Sequence, residues 1–168
     1  MYEPWPAQEY PPAWKVVAGF LVAPAVAALL LAAFMPGYDG LPPLERFWQS
    51  ARLYAVVGAY PPTVVVGIPA YFMLRRQVAA RIRNCVLVGA TLPLVPWGLL
   101  IIFGSGASEE SFGNREAVVD GVRTLYGWEL TGAALLELAA LGAAGGLVFG
   151  LIVVGWPKSL RWSSTRTD

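Results

Sequence analysis

The chain has 168 residues, of which 57% are hydrophobic and 14% are charged, and its formal net charge is +1. A soluble domain carries about 25% charged residues, so this composition favours an integral membrane protein. The sequence contains no histidine and a single cysteine, Cys85. Haem ligation by histidine, an intrachain disulfide and histidine-dependent nucleophile pairs are therefore excluded within this sequence, and a Cys/His zinc site is disfavoured. We expect no cofactor, no enzymatic activity and no nucleic-acid partner.

The first fourteen residues contain four prolines and two acidic residues. This composition predicts an extended segment over 1–14 and differs from the basic start of a cleaved signal peptide. Its aromatic residues suit a partner-binding peptide or an interfacial lead-in, and the enrichment of Trp and Tyr at membrane interfaces favours the lead-in. Span one follows over 15–35, close to the ~20 apolar residues that cross a bilayer.

The connection from 36 to 50 contains Pro-Gly and Asp-Gly turns and then two prolines, Pro42 and Pro43. Proline is favourable at the first position of a helix, so we expect a short interfacial helix that leads into span two. The remaining spans are predicted over 51–74, 85–103 and 128–156. A polar tail, 157–168, follows, and the whole chain, 1–168, is predicted to form one transmembrane domain.

Five prolines interrupt spans two and three and are candidate hinge residues: Pro61, Pro62, Pro69, Pro93 and Pro96. Because proline has no N–H, each one leaves the carbonyl four residues earlier without its helical partner. Inside a bilayer such a carbonyl requires a donor from a neighbouring helix. The interruptions are therefore either tolerated kinks, which are common in membrane helices, or a hinge or carbonyl-lined site.

The longest connection, 104–127, is acidic, and several of its apolar residues follow helical spacing: Val118, Val119, Val122, Leu125 and Tyr126. This spacing predicts an amphipathic helix that lies on the membrane surface. A lid over an outward-facing cavity is the alternative interpretation of the same segment.

The Lys and Arg residues predict the orientation of the chain. Eight of them lie on the side of the two termini and the short loop between spans two and three, and four lie on the opposite side. The positive-inside rule therefore places both termini in the cytoplasm. The richness in Ala, Gly and Arg suggests a multi-pass protein of a bacterial inner membrane.

Glu137 is the one ionisable residue well inside a predicted span. It lies eight residues past Glu129, about 12 Å deep at 1.5 Å per residue, where an unpaired carboxylate is unfavourable. Counting to the same depth in spans two and three reaches Tyr60 and Trp97. We therefore predict a buried polar cluster in which the Tyr60 hydroxyl and the Trp97 N–H donate to the Glu137 carboxyl. This cluster is either a polar contact that fixes helix register or a proton or cation site.

Gly142, Gly146 and Gly150 lie four residues apart in span four. Glycines at this spacing form a groove that allows another helix backbone to approach closely. The pattern predicts tight helix packing. We expect packing within the chain in preference to packing against another copy or another protein.

Four arginines, Arg75, Arg76, Arg81 and Arg83, border the short loop between spans two and three. Their role in setting the topology explains them adequately. They are also candidate ligands for anionic lipid headgroups. The neighbouring Cys85 is expected to be a small packing residue and not a reactive thiol.

Part of span two carries a resemblance to a known group of proteins. Residues 58–76 contain Gly58-Ala-Tyr-Pro and then Gly67-Ile-Pro-Ala-Tyr-Phe-Met-Leu-Arg-Arg76. This run resembles small, uncharacterised multi-span inner-membrane proteins of proteobacteria, in which an apolar span ends in Gly-x-Pro-x-Tyr, a few apolar residues and two arginines. The resemblance covers about one span of the four. It implies a four-helix membrane protein and carries no activity.

These features together predict an all-α integral membrane bundle of four transmembrane helices, with one or two interfacial amphipathic helices. We expect a small, non-enzymatic accessory or structural subunit in the lipid bilayer. It would pack against itself as a homo-oligomer or against other membrane helices in a larger complex. The alternative is an oligomeric, proton-coupled small carrier that uses Glu137 in a mid-membrane site beside the interrupted spans.

Overall fold

The computed structural model describes residues 11–75, 81–103, 110–112 and 115–155. Four helices dominate these residues, and each is long and apolar enough to cross a membrane: Ala13–Phe34, Pro43–Leu74, Ile82–Phe103 and Leu125–Val153. They run alternately up and down. We call the end of the bundle that carries Arg75 and Arg81 the arginine end, and the end that carries a small β-sheet the sheet end. The predicted polar tail, 157–168, and most of the predicted extended segment lie outside the described residues.

The first and fourth long helices are regular, and the second and third are interrupted. The first is α1 (Ala13–Phe34) and the fourth is α7 (Leu125–Val153). The second consists of α2 (Pro43–Leu53), a π-helical turn (Tyr54–Ala59), α3 (Tyr60–Pro62), another π-helical turn (Thr63–Gly67) and α4 (Ile68–Leu74). The third consists of α5 (Ile82–Thr91), a 3-10 turn (Leu92–Leu94) and α6 (Pro96–Phe103). The expected short helix and span two are thus one continuous helix that begins at Pro43.

The interruptions lie where the sequence predicts hinge prolines. Around Pro61 and Pro62 the helix widens, and the N–H of Tyr60 donates to the carbonyl of Ala55, five residues earlier. In the third long helix, Pro93 lies in the tighter 3-10 turn. Local widening or tightening of a helix is how the chain accommodates residues that lack an N–H.

The connection between the third and fourth long helices forms strands and not the predicted helix. The three strands are antiparallel, in the order β1 (Glu110–Phe112), β2 (Arg115–Val119) and β3 (Val122–Arg123). Val119 pairs with Val122 across Asp120 and Gly121, whose φ angles are 50° and 76°. Asp-Gly is strongly favoured in such two-residue hairpin turns, and β-branched valines favour strands. The amphipathic helix predicted within the connection 104–127 is therefore wrong over 115–123, and the helix that follows from Leu125 is the start of α7.

The close approach of α7 to α5 is made by glycines on both helices. A Cβ atom at Gly142 would overlap the carbonyl oxygen of Gly89, and one at Gly146 would overlap the carbonyl oxygen of Cys85. A Cβ atom at Gly150 would lie 3.2 Å from the Cβ of Cys85. All three glycines of the predicted packing pattern thus contact α5 within the chain, where Cys85 also packs.

Polar side chains tie the loops of the sheet end to the helices. The Nε atom of Arg46 donates to the carbonyl of Gly37 at 2.8 Å, and the Gly37 N–H donates to the hydroxyl of Ser50 at 2.9 Å. Ser50 is fully buried. Beside the sheet, Arg123 donates to the carbonyl of Ile101, near the last turn of α6. These bonds give the loop carbonyls and N–H groups partners that the helices cannot supply.

Replacing Gly146 with alanine should lower the free energy of unfolding by about 1–3 kcal/mol, the usual range for overpacking a tight contact. The added methyl group would meet the backbone of α5, which cannot move away as a flexible side chain can. Thermal unfolding in a mild detergent measures the effect. Gly132→Ala is the matched control, because a Cβ atom there meets nothing within 4 Å. Equal melting temperatures for the two variants would contradict the assigned contact.

Candidate functional site: a cavity between the four long helices

A cavity of about 690 Å³ lies between the four long helices. Along α7 it extends from Leu138 to Val153, which is about 22 Å at 1.5 Å per residue. Its volume falls within the roughly 300–1,000 Å³ that is typical of small-molecule pockets. The wall is mainly apolar and includes Ala27, Ala59 and Leu92. The cavity therefore suits an elongated apolar ligand.

The cavity exists because the second long helix stands away from its neighbours along its second half. This helix packs on α1 through α2 and the π-helical turn Tyr54–Ala59. In contrast, α4 and the turn Thr63–Gly67 have few backbone contacts with other helices, while α7 packs closely against both α1 and α5. α1, α5 and α7 thus pack closely together. The second half of the second long helix stands away from them, and the space between is the cavity.

Three aromatic rings connect the helices across the arginine-end half of the cavity. Phe20 of α1, Tyr71 of α4 and Phe149 of α7 all line it. Their ring centroids are 5.7 Å apart for Phe20 and Tyr71, 5.0 Å for Phe20 and Phe149, and 6.1 Å for Tyr71 and Phe149. These are favourable edge-to-face and tilted distances. The rings of Phe20 and Phe149 thus connect α4, through Tyr71, to helices from which its backbone stands apart.

Arg75 and Arg81 are the charged residues among the described part of the cavity lining. Arg75 is half-buried, and its guanidinium carbon lies 4.7 Å from the centroid of the Phe72 ring, a cation–π contact. Arg81 is exposed and immediately precedes α5. Of the other arginines predicted to bind lipid headgroups, Arg83 is exposed outside the lining, and Arg76 lies outside the described residues.

Tyr60 and Trp97 donate hydrogen bonds to backbone carbonyls of neighbouring helices. The Trp97 Nε1–H donates to the carbonyl of Gly58 at 3.1 Å, and the Tyr60 hydroxyl donates to the carbonyl of Leu21 at 2.8 Å. The Gly58 carbonyl is one that lacks a helical donor, because Pro62 has no N–H. Trp97 therefore supplies a donor to a carbonyl that proline frees, and joins the second and third long helices.

The predicted hydrogen bonds to Glu137 are wrong, since Tyr60 and Trp97 both donate elsewhere. Glu137 is exposed on α7 and does not belong to the cavity lining, and no described residue donates to it. Its depth along the bundle agrees with the prediction, because a Cβ atom at Gly98 would lie 3.4 Å from the side chain of Leu135. Counting residues gives depth along a helix, but the direction around the helix axis depends on packing.

Two of the five predicted hinge prolines line the cavity. Pro62 and Pro93 line it, and Pro61 is exposed on the outside of the same helix. Pro69 lies in the first turn of α4, and Pro96 begins α6. A hinge motion at these positions stays a prediction.

The aromatic residues that bridge the cavity are absent from the sequence-based predictions. Tyr71 lies four residues before Arg75, and Phe149 lies four residues before Val153, where α7 ends. Phe20 likewise lies within two turns of the start of α1. Counting depth from the arginine end, in addition to the sheet end, would have grouped these three rings.

Comparisons of the chain with protein-family models, with curated proteins and with solved structures find no match. The resemblance of residues 58–76 to small inner-membrane proteins of proteobacteria therefore stays a prediction. The function is inferred from the geometry of the cavity.

Tyr60→Phe should lower the free energy of unfolding by about 0.6 kcal/mol, the measured average for hydrogen bonds between membrane helices, and by no more than about 1.7 kcal/mol. The cause is the loss of the donor to the Leu21 carbonyl. Tyr38→Phe is the matched control, because Tyr38 is exposed and forms no hydrogen bond within the described residues.

A double-mutant cycle of Tyr60→Phe with Glu137→Gln tests whether the two side chains interact. The coupling energy should stay below about 0.5 kcal/mol. A larger coupling energy would indicate that Tyr60 and Glu137 are in contact, and would contradict the hydrogen bond to Leu21.

Proposed function

We propose that this chain is a multi-pass, non-enzymatic membrane protein that holds a lipid of the surrounding bilayer in the cavity between its four long helices. The observation that carries the proposal is the apolar cavity of about 690 Å³ with arginines at one end. The protein would act as an accessory component of a bacterial inner membrane. Its termini would lie on the cytoplasmic side, together with the arginine end.

The outer surface of the bundle supports a location in the bilayer. Large apolar side chains on the outward faces are more than two-thirds exposed, including Val56, Val65, Met73 and Leu136 at 69–73%. In water, such a surface would be an association or aggregation site. Hydrocarbon solvates it at no comparable cost, and the four helices have the length to cross about 30 Å of hydrocarbon.

The cavity itself supports occupation by a lipid chain. Protein interiors leave few voids larger than a water molecule, because the atoms lining a void lose their dispersion contacts. An acyl chain from the bilayer would restore those contacts along the roughly 22 Å of cavity beside α7. The second half of the second long helix, which has few backbone contacts with its neighbours, offers the entrance.

The geometry favours this function over a proton-coupled carrier built on Glu137. Such a carrier requires the titratable group to face the path of its substrate. Glu137 is exposed on α7 and is not part of the cavity lining, which on this helix begins with its neighbours Leu138 and Leu141.

Ala59→Leu should lower the amount of lipid that stays with the protein during purification in mild detergent. Ala59 lines the cavity, so the larger side chain would occupy part of its volume. The measurement is the number of phospholipid molecules per chain, counted by native mass spectrometry.

Ala33→Leu is the matched control for this experiment. Ala33 is exposed near the end of α1 and lies outside the cavity lining, so the same substitution there should leave the bound lipid unchanged. If both variants retain as much lipid as the natural chain and remain folded, the cavity does not hold lipid and the proposal fails.

A second candidate function is association with other membrane helices, and the exposure of Glu137 favours it. A carboxyl group that faces hydrocarbon is unfavourable, by about 2.5–3.5 kcal/mol for aspartate at the bilayer centre on insertion scales. Ala133 and Ala140 are exposed on the same face of the helix, four residues before Glu137 and three residues after it. Small residues there allow a partner helix to approach and to supply a donor to the carboxyl. The glycines at 142, 146 and 150 already pack against α5, so this outward face is the one left for a partner.

Glu137→Leu should therefore reduce cross-linking to neighbouring membrane chains, while the isolated chain keeps or gains thermal stability. The stability expectation follows because no described residue donates to Glu137. Glu129→Leu, on the same helix and also exposed, is the matched control near the sheet end. Unchanged cross-linking in the Glu137 variant would eliminate this candidate.

A further inference from the structure

We infer that the lipid in this cavity carries an anionic phosphate headgroup that binds Arg75 and Arg81, while its acyl chain extends toward the sheet end. This inference rests on the proposed function and adds the chemical class and the orientation of the ligand. It concerns a lipid drawn from the leaflet on the arginine side of the bundle.

The polar end of the lipid has to supply the selectivity, because the acyl chain cannot. Lipid tails are as apolar as leucine side chains, so a chain gains little hydrophobic free energy when it moves from the bilayer into an apolar cavity. The wall contributes packing contacts that any acyl chain of similar length satisfies. Discrimination among bilayer lipids therefore depends on the headgroup.

The charges around the cavity select an anionic headgroup. Arg75 and Arg81 are the charged residues of the described lining, and no acidic residue borders it there. Guanidinium groups bind phosphate through paired, charge-assisted hydrogen bonds. Arg81 precedes α5, whose N-terminal end also carries a partial positive charge. All of these charges favour a headgroup of net negative charge over a neutral or zwitterionic one.

The order of residues along the cavity matches the order of groups in such a lipid. Arg75 and Arg81 lie at one end, and Tyr71 lies one turn deeper than Arg75. Beyond the aromatic rings the wall is apolar, with small residues such as Gly67 and Ala59 beside larger ones, and it reaches Trp97 and Tyr54. A lipid whose phosphate binds the two arginines would thus have its acyl chain against the aromatic rings and then along the apolar wall beyond them.

Native mass spectrometry of the full chain tests this inference. The purified protein is offered equal amounts of phosphatidylglycerol and phosphatidylcholine with identical acyl chains. We expect the natural chain to retain phosphatidylglycerol preferentially. Arg81→Gln should reduce that preference about fivefold, the effect of one arginine at an anionic lipid surface. No preference in the natural chain would overturn the inference.

Arg83→Gln is the matched control, because Arg83 lies two residues along the chain and is exposed outside the cavity lining. It should leave the preference unchanged. If both variants lose the preference for phosphatidylglycerol equally, the preference comes from general surface charge, and the inference is overturned. Thermal unfolding of both variants identifies any change due to misfolding, and Arg81 is exposed enough that its replacement should not unfold the chain.

Two further arms separate the inference from the proposed function. Ala59→Leu should lower the binding of phosphatidylglycerol. If it lowers both lipids equally and the natural chain has no preference, the cavity holds lipid without selecting a headgroup. Excess inorganic phosphate, which has no acyl chain, should not displace phosphatidylglycerol. Displacement by phosphate would indicate a surface anion site and would overturn the inference.

Discussion

The close approach of α7 and α5 is the contact on which the rest of the bundle depends. At Gly142 and Gly146 the helix backbones nearly touch, so the rotation and height of α7 are fixed relative to α5. An adjacent face of α7 packs on α1, where Gly19 lies against the ring of Phe149. Three helices are thereby joined by small residues. The second long helix has no glycine contact of this kind, and it joins the bundle mainly through its first half. The cavity is the result of this unequal packing.

Tyr60 and Trp97 donate their hydrogen bonds to backbone carbonyls. They do not donate to Glu137, the acidic residue that the sequence predicts in the bundle interior. A carbonyl freed by proline is fixed in place by the helix, so its donor has to come to it. A glutamate side chain has no such fixed position, and the packing of α7 on α5 and α1 leaves Glu137 exposed. The carbonyls of Gly58 and Leu21 therefore accept these two hydrogen bonds, and Glu137 faces outward.

Much of the fold follows from the sequence, because the length of an apolar run is a one-dimensional property. The four long helices lie close to the predicted spans, and Pro62 and Pro93 lie where the helices change geometry. The valines at 118, 119 and 122 fit both helical and strand spacing, so their pattern does not predict the sheet. The signal that favours strands is the Asp120-Gly121 turn, in which both residues have positive φ. The cavity and its aromatic rings could not be predicted, because they depend on the relative rotation of helices that only packing determines.

The faces of α7 keep the two proposed activities apart. One face, with the glycines at 142, 146 and 150, lies on α5, and Gly142 and Gly146 also border the cavity; a second, with Phe149, borders the cavity as well; a third, with Glu137, is exposed. A rotation of α7 would be needed for a partner at the third face to alter the second. The glycine contacts resist such a rotation, because turning α7 would move larger side chains into the backbone of α5. The two proposals, lipid in the cavity and a partner helix at Glu137, are therefore compatible, because neither ligand would have to displace the other.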